Sequence, residues 1–285
     1  MVRPMRRHAR PALLGAFAAA LLAAAAGAAW FWAREAPPTP PPEATEEALP
    51  LPPEPPRVAD SPEYEECLGK LRDDAQGAYD YAETWLGRGG GDGARHCSAL
   101  AVLALGEPER AAPRLEALAA ATAAGTPARA AVLGQAGQAW MIAGQPSRAF
   151  GAITLALALT PGDVDLLVDR AIAAAALGRL RDAFADADRA TALDPQRVEP
   201  WIYRAAALRR LDRPQEALSD IERALALDPA SPEALLERGI LRQLQGDTGG
   251  AREDWESVLA NAPDSAAADL AQQNLDLNAA GPSRR

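Results

Sequence analysis

Two cysteines and one histidine are the residues whose types and spacing offer nucleophilic or redox chemistry. Cys67 and Cys97 are the only cysteines of the 285-residue chain, and His96 directly precedes the second one. A Cys–His nucleophile needs its imidazole within reach of the sulfur, yet neighbouring residues of a helix point about 100° apart. We therefore expect a structural disulfide, with a free buried thiol and a thiol-redox or catalytic cysteine as the less favoured alternatives.

No other cluster in the sequence predicts catalysis. The second histidine, His8, lies near the N-terminus, and the acidic residues show no His/Cys/Asp cluster with the spacing of metal ligands. The glycine-rich stretch RGGGDG, residues 88–93, lacks the lysine of a phosphate-binding loop. We predict a non-enzyme that has no cofactor and no metal.

The charge is divided unevenly along the chain. Residues 1–34 carry five arginines and no acidic residue, so that 24 basic and 39 acidic residues, a net charge of −15, remain for the rest. An acidic body argues against nucleic acid as a partner, because nucleic-acid binding requires a basic face.

The N-terminal part of the sequence predicts export. A basic tail, residues 1–10, precedes an apolar segment, residues 11–33, that as a helix spans roughly the 30 Å of a bilayer core. This segment is a transmembrane anchor or a cleaved signal peptide. We expect a single-pass bacterial inner-membrane protein whose C-terminal domain is periplasmic, or, after cleavage, a soluble periplasmic one.

A proline-rich linker follows the apolar segment over residues 34–61. Ten prolines lie between Pro37 and Pro56. This density excludes helix and sheet and favours an extended, disordered spacer.

A proline recurs at one constant interval beyond this linker, at Pro127, Pro161, Pro195, Pro229 and Pro263. Such a fixed interval is typical of stacked supersecondary units. Each interval predicts two amphipathic helices, with a break at Gly144, Gly178, Asp212 or Gly246 and a proline that ends the second helix.

These repeats resemble the tetratricopeptide repeat family. The matching positions are a large residue (Leu133, Leu167, Trp201, Leu235), a small one (Gly137, Ala171, Ala205, Gly239), an alanine (Ala149, Ala183, Ala217, Ala251) and the position of the family's phenylalanine (Ile153, Ala187, Ile221, Trp255). The resemblance implies an all-α fold, a right-handed superhelical solenoid of antiparallel helix pairs.

The resemblance divides the folded part into three regions. Diverged helical hairpins over 62–126 come first, with helices at 62–86, about 94–105 and about 108–123, the last of them kinked or delayed by Pro113. Four repeats follow over 127–263, at about 130–163, 164–197, 198–231 and 232–263. A capping helix over 264–278 covers the last apolar face.

Three of the repeats share a pair of opposite charges. Arg170, Arg204 and Arg238 precede Asp186, Asp220 and Asp254 at one constant spacing, whereas the first repeat has alanine at both positions, Ala136 and Ala152. Because the two charges are present or absent together, we expect each arginine to bind the aspartate of its partner helix.

The family resemblance also implies a binding groove along the first helices of the repeats. Carried over position by position, its lining is Gln138, Met141, Ile142, Asp165, Val168, Ile172, Glu199, Ile202, Arg209, Arg210, Glu233, Leu236, Ile240 and Gln243. We expect an exposed apolar floor, with Arg209 and Arg210 available to an acidic ligand. The function implied is a protein–protein interaction scaffold of the cell envelope that binds a peptide or helix; an envelope or cytochrome c assembly factor is the alternative.

Overall fold

Thirteen α-helices and no β-strand make up residues 57–280, the part of the chain that the computed structural model describes. They are α1 (Pro62–Lys70), α2 (Ala75–Gly87), α3 (Gly91–Ala104), α4 (Pro108–Ala121), α5 (Thr126–Ile142), α6 (Pro146–Leu159), α7 (Val164–Ala176), α8 (Leu180–Leu193), α9 (Val198–Arg210), α10 (Pro214–Leu227), α11 (Pro232–Leu244), α12 (Thr248–Asn261) and α13 (Ala266–Ala280). The all-α prediction is confirmed. The predicted basic tail, the predicted anchor or signal and most of the predicted linker lie outside the described residues. Between residues 57 and 280, no helix is long and apolar enough to cross a bilayer.

Four helix pairs, α5/α6, α7/α8, α9/α10 and α11/α12, are the predicted repeats. Their helices are joined by tight turns at Gly144, Gly178, Asp212 and Gly246, with φ of 68°, 72°, 61° and 86°. The hydrogen bonds repeat as well: in the second pair Gly178 N–H donates to Ala175 O (3.1 Å) and Arg179 N–H to Ala174 O (2.9 Å). This arrangement satisfies the last carbonyls of the first helix and confirms the predicted breaks.

The pair α3/α4 is a fifth copy of the same unit. Its turn residue Gly106 has φ 80°, and Glu107 N–H donates to Val102 O (3.1 Å), as in the later pairs. Gly106 and Gly144 are farther apart in sequence than the later turn residues are from one another, because α5 has 17 residues where α7, α9 and α11 have 13. Because of this additional helical turn, the constant proline interval does not extend to the pair α3/α4.

The periodic prolines hold two different positions. Pro161, Pro195, Pro229 and Pro263 each stand just beyond the end of a second helix, as predicted. Pro127 is instead the second residue of α5, so its predicted role as a terminator is wrong. The additional turn of α5 places it in a first helical turn, where a missing N–H costs nothing.

The N-terminal region differs from the prediction in two places. Residues 62–86 form two helices, because Asp74 starts α2 by accepting a hydrogen bond from Gly77 N–H (2.8 Å). α4 begins at Pro108 and continues through Pro113, so the predicted delay is wrong. The cap of α1 is confirmed, since Ser61 Oγ accepts from Tyr64 N–H (3.3 Å).

Alanine is the most frequent residue of the core between successive helices, where it packs with large side chains such as Trp140 and Trp255. Each second helix packs against the first helix of the next pair, and the final α13 packs against α11 and α12. Ala267, Ala268 and Ala271 of α13 are buried in this contact. α13 therefore closes the solenoid, as expected of a cap.

Candidate partner-binding groove

The first helices α5, α7, α9 and α11 lie side by side along one face of the solenoid. Each contacts the next directly in addition to contacting its own partner helix. We refer to the exposed surface of these four helices as the groove. All residues predicted to line it lie on these helices.

The apolar floor predicted for the groove is largely absent. Val168, Ile202 and Leu236 are only 6%, 8% and 9% exposed, so the expectation that they face solvent is wrong. They pack between adjacent first helices as part of the core. Ile172 and Ile240 are half-buried against the same core.

The two arginines predicted to receive an acidic ligand are occupied within the protein. Arg209 donates through Nε and Nη2 to both carboxylate oxygens of Glu237 (2.5 and 3.2 Å). Arg210 Nη1 donates to the backbone carbonyl of Ala175 (2.9 Å). An acidic partner is therefore no longer expected at these positions.

A row of polar residues that the family pattern did not identify crosses the first helices. Gln135, Asp169, Tyr203 and Glu237 occupy the same register in the four repeats, each one repeat beyond the last. Gln138 Nε2 donates to Asp169 Oδ2 (2.9 Å), and Arg209 binds Glu237, so two members join neighbouring repeats. A comparison of the repeats with one another would have revealed this row.

A pocket of about 400 Å³ opens in the groove between α9 and α11. It is lined by Val198, Glu199, Ile202, Tyr203, Asp228, Ser231, Pro232 and Glu233. Burial raises the pKa of Tyr203, and the negative charges of Glu233, Asp169 and Glu199 raise it further. The electrostatic environment of the pocket is therefore negative.

Acidic groups dominate the rest of this end of the groove. Arg197 pairs with both Asp165 (Nη2–Oδ1 2.5 Å) and Glu199 (Nε–Oε2 3.3 Å), so one cation serves two carboxylates. Burial raises the pKa of Asp169, although the hydrogen bond from Gln138 acts to lower it.

Four other residues predicted to line the groove differ in exposure. Glu233 and Gln243 are exposed, and Met141 is half-buried beside the exposed Ile142.

The predicted charge pairs between partner helices are confirmed. Arg204 Nε and Nη2 donate to Asp220 (2.8 and 2.6 Å), and Arg170–Asp186 and Arg238–Asp254 have the same two-pronged geometry. Arg204 Nη1 also reaches Asp188 (2.7 Å) and Thr191 (3.1 Å) in the preceding repeat. These pairs are structural, and Arg204 couples neighbouring repeats as well as partner helices.

The Cys67–Cys97 disulfide joins α1 to α3, as predicted. Both cysteines are fully buried, which disfavours thiol exchange because an attacking thiolate needs access to the bond.

His96 belongs to a buried hydrogen-bond chain beside the disulfide. The Tyr64 hydroxyl is 2.5 Å from Nδ1, and Nε2 is 2.6 Å from Gln135 Oε1. Burial lowers the pKa of His96, which therefore stays neutral, accepts from Tyr64 and donates to Gln135. Both ring nitrogens are thus used in joining α1, α3 and α5.

No group of His, Cys, Asp and Glu side chains within residues 57–280 has an arrangement suited to a metal ion.

The architecture defines an α-solenoid repeat protein. Residues 204–276 match the tetratricopeptide repeat family model. The antiparallel helix pairs of the described residues agree with this match. No curated protein matches the sequence.

Solved structures share the fold at low sequence identity. The chain is similar to a chain of the APC/C hetero-tetramer Cut9–Hcn1 (TM-score 0.57, 18% identity), covering 75% of this chain but only 42% of that one. It is also similar to TTC0263, a thermophilic TPR protein of Thermus thermophilus (TM-score 0.53, 18% identity, 65% and 97% covered). A third is MamA of Desulfovibrio magneticus RS-1 (TM-score 0.52, 18% identity, 61% and 97% covered). At this identity the likeness establishes the solenoid fold alone.

Proposed function

We propose that the protein is a non-catalytic scaffold that captures a cationic segment of a partner protein in the groove. The observation that carries this proposal is the pocket between α9 and α11, where Glu199, Asp228 and Glu233 surround the half-buried ring of Tyr203. A basic side chain entering the pocket would meet carboxylates at its charged end and Tyr203 and Ile202 along its stem.

The pairing of the arginines supports a cationic rather than an acidic partner. Arg197 and Arg209 are held by carboxylates of the groove, and Arg210 is held by a backbone carbonyl. Glu233 has no ion-pair partner among the described residues. Charge complementarity with the groove therefore requires positive charge on the ligand.

The cellular setting of this scaffold is proposed from the sequence of its N-terminal part. We propose that residues 11–33 hold the protein in, or direct it across, the bacterial inner membrane, with the groove in the periplasm. The experiment is fractionation followed by protease treatment of spheroplasts. Digestion of the repeat region without disruption of the membrane is expected, whereas protection until lysis would contradict the proposal.

Photo-crosslinking in cells tests groove binding directly. A photoreactive residue would replace Ile142 or Gln243, both exposed in the groove, or, as controls, Leu155 or Arg223, exposed on the second helices. One partner should crosslink from the groove positions and not from the controls. Equal crosslinking from the second helices would show that another face binds.

The charge requirement is tested in the same cells. Glu199→Gln and Glu233→Gln together keep the shape of the pocket rim and remove two negative charges. We expect the groove-specific crosslinks to weaken several-fold, while Glu253→Gln on the exposed surface of α12 leaves them unchanged. Retention of the crosslinks in the double variant would contradict a cationic ligand.

A role in assembling an envelope complex or c-type cytochromes is the alternative within this class. Deletion of the gene would then remove one complex or the cytochromes, whereas a general scaffold would leave them assembled.

A further inference from the structure

A cleft of about 530 Å³ lies outside the groove, between α2, α3 and α4. It is lined by Glu83, Leu86, Arg95, Ser98, Arg114, Ala117, Leu118 and Ala121. This volume lies within the range of small-molecule sites. The chemistry of its walls therefore indicates what it can hold.

Arg114 carries a hydrogen-bond donor that the protein does not satisfy. Its Nη1 is buried and has no hydrogen-bond partner, and it is the only such buried side-chain atom in the described part of the chain. The guanidinium lies beside the ring of Tyr79, with Cζ 5.9 Å from the ring centroid. Because a guanidinium remains charged and has five N–H donors, Arg114 keeps donors available for an acceptor that enters the cleft it lines.

The other charged groups of the cleft already have partners. Arg95 Nη1 donates to Asp92 Oδ1 (2.9 Å), and Glu83 Oε1 accepts from the buried Ser98 hydroxyl (2.6 Å). No ion pair joins Glu83 to either arginine among the described residues. The Glu83 carboxylate would repel a ligand with several negative charges, which favours a single negative charge on the ligand.

The remaining walls are apolar. Leu86 of α2 and Leu118 of α4 lie with Ala117 and Ala121 around the cleft. A ligand that satisfies both parts of the site carries one carboxylate and a short hydrocarbon body.

We propose that the cleft binds a small apolar monocarboxylate, whose carboxylate accepts hydrogen bonds from Arg114 while its hydrocarbon covers Leu86, Ala117 and Ala121. This site is separate from the groove and does not depend on the function proposed for the groove.

Ligand-observed NMR with the full chain and 4-methylpentanoate tests the proposal. We expect saturable binding, at least about tenfold weaker for 4-methylpentan-1-ol, which has the same hydrocarbon body and no carboxylate. Arg114→Met should weaken the binding of 4-methylpentanoate by a similar factor. Arg110→Met, an exposed arginine of the same helix that pairs with Glu107, is the matched control and should leave binding unchanged.

Two further variants keep the test decisive if Arg114→Met does not fold. Ala117→Trp, at an exposed wall position, should block binding and leave Arg114 in place. Glu83→Gln should preserve or strengthen binding. Equal binding of acid and alcohol, no binding of the acid at millimolar concentration, or insensitivity to Ala117→Trp would each overturn the proposal.

Discussion

The buried charge pair Arg204–Asp220 allows a quantitative test of what holds the repeats together. Asp220 is 5% exposed and both of its oxygens are bound by Arg204, which is itself 19% exposed at the side chain. Replacing Arg204 with leucine leaves a buried carboxylate without its cation. Removing one member of a buried pair costs about 3–5 kcal/mol, and the partial exposure of Arg204 places this site near the lower end.

The double variant Arg204→Leu/Asp220→Ala should be far less damaging than the single one. It removes both charges together and resembles the first repeat, where Ala136 and Ala152 are buried at the corresponding positions. Because no buried charge is then left unpaired, and Asp188, which also loses Arg204, is exposed to solvent, we expect its free energy of unfolding to lie within about 1 kcal/mol of the parent. The double-mutant cycle should yield a coupling energy of about 2 kcal/mol or more.

Urea unfolding followed by circular dichroism at 222 nm measures these free energies. Since neighbouring repeats stabilise one another, amide exchange in α9 and α10 should identify the helices that open first. Arg213→Ala, which breaks an exposed pair with Glu216 in the same repeat, is the matched control and should produce no resolvable change. Additive single effects, with a coupling below about 0.5 kcal/mol, would refute the claim that the pair acts as a unit.

Three further perturbations test other contacts of the fold by the same unfolding measurement. Gly239→Ala should lower the free energy of unfolding by about 1–3 kcal/mol, because the added Cβ would lie 2.3 Å from the buried Trp255 indole. Gly151→Ala is the control, since its Cβ would meet nothing within 4 Å, and it should be neutral or stabilising. Equal effects of the two substitutions would refute the close packing at Gly239. Cys67→Ser/Cys97→Ser should destabilise the protein by up to about 3.5 kcal/mol through lost loop closure, and an unchanged midpoint would show that the bond contributes nothing. Burial lowers the pKa of His96, so the unfolded chain binds a proton more readily than the folded one. The free energy of unfolding should therefore fall as pH falls below about 6.5 and be flat above it. If a His96→Gln variant keeps this pH dependence, another group must cause it.

The repeat architecture could be predicted because its determinants are local and recur. A turn residue with positive φ in each repeat sets the length of a helix pair, and the terminal prolines mark the same length. The pair α3/α4 was predicted as a diverged hairpin and not as a further repeat, because α5 is one turn longer, which shifts the period without changing the unit. The break before α2 was missed because Asp74 can either continue a helix or cap a new one, and the apolar stripe does not distinguish the two.

The groove was predicted less well than the repeats because its exposure depends on neighbouring helices. Position by position, the family pattern assigns Val168, Ile202 and Leu236 to the first helices, but it does not show that adjacent first helices cover them. The same limit applies to Arg209, whose partner Glu237 lies in the next repeat. Contacts within a repeat, such as Arg204–Asp220, were accessible because both residues recur together.

The predominance of arginine over lysine in the chain agrees with the bonds that its cationic side chains make. Lys70 is its only lysine, and the arginines of the repeats make two-pronged bonds to carboxylates inside the solenoid, a geometry that an ammonium group does not reproduce. Each such pair neutralises one acidic residue in the interior of the structure. With the groove arginines engaged as well, the excess of acidic residues remains on exposed surfaces such as the first turns of α9 and α11. Because each internal pair is neutral, exposed carboxylates such as Glu199 and Glu233 contribute the negative charge of the groove. A variant that removed one member of an internal pair would therefore change the net charge of the protein as well as its stability.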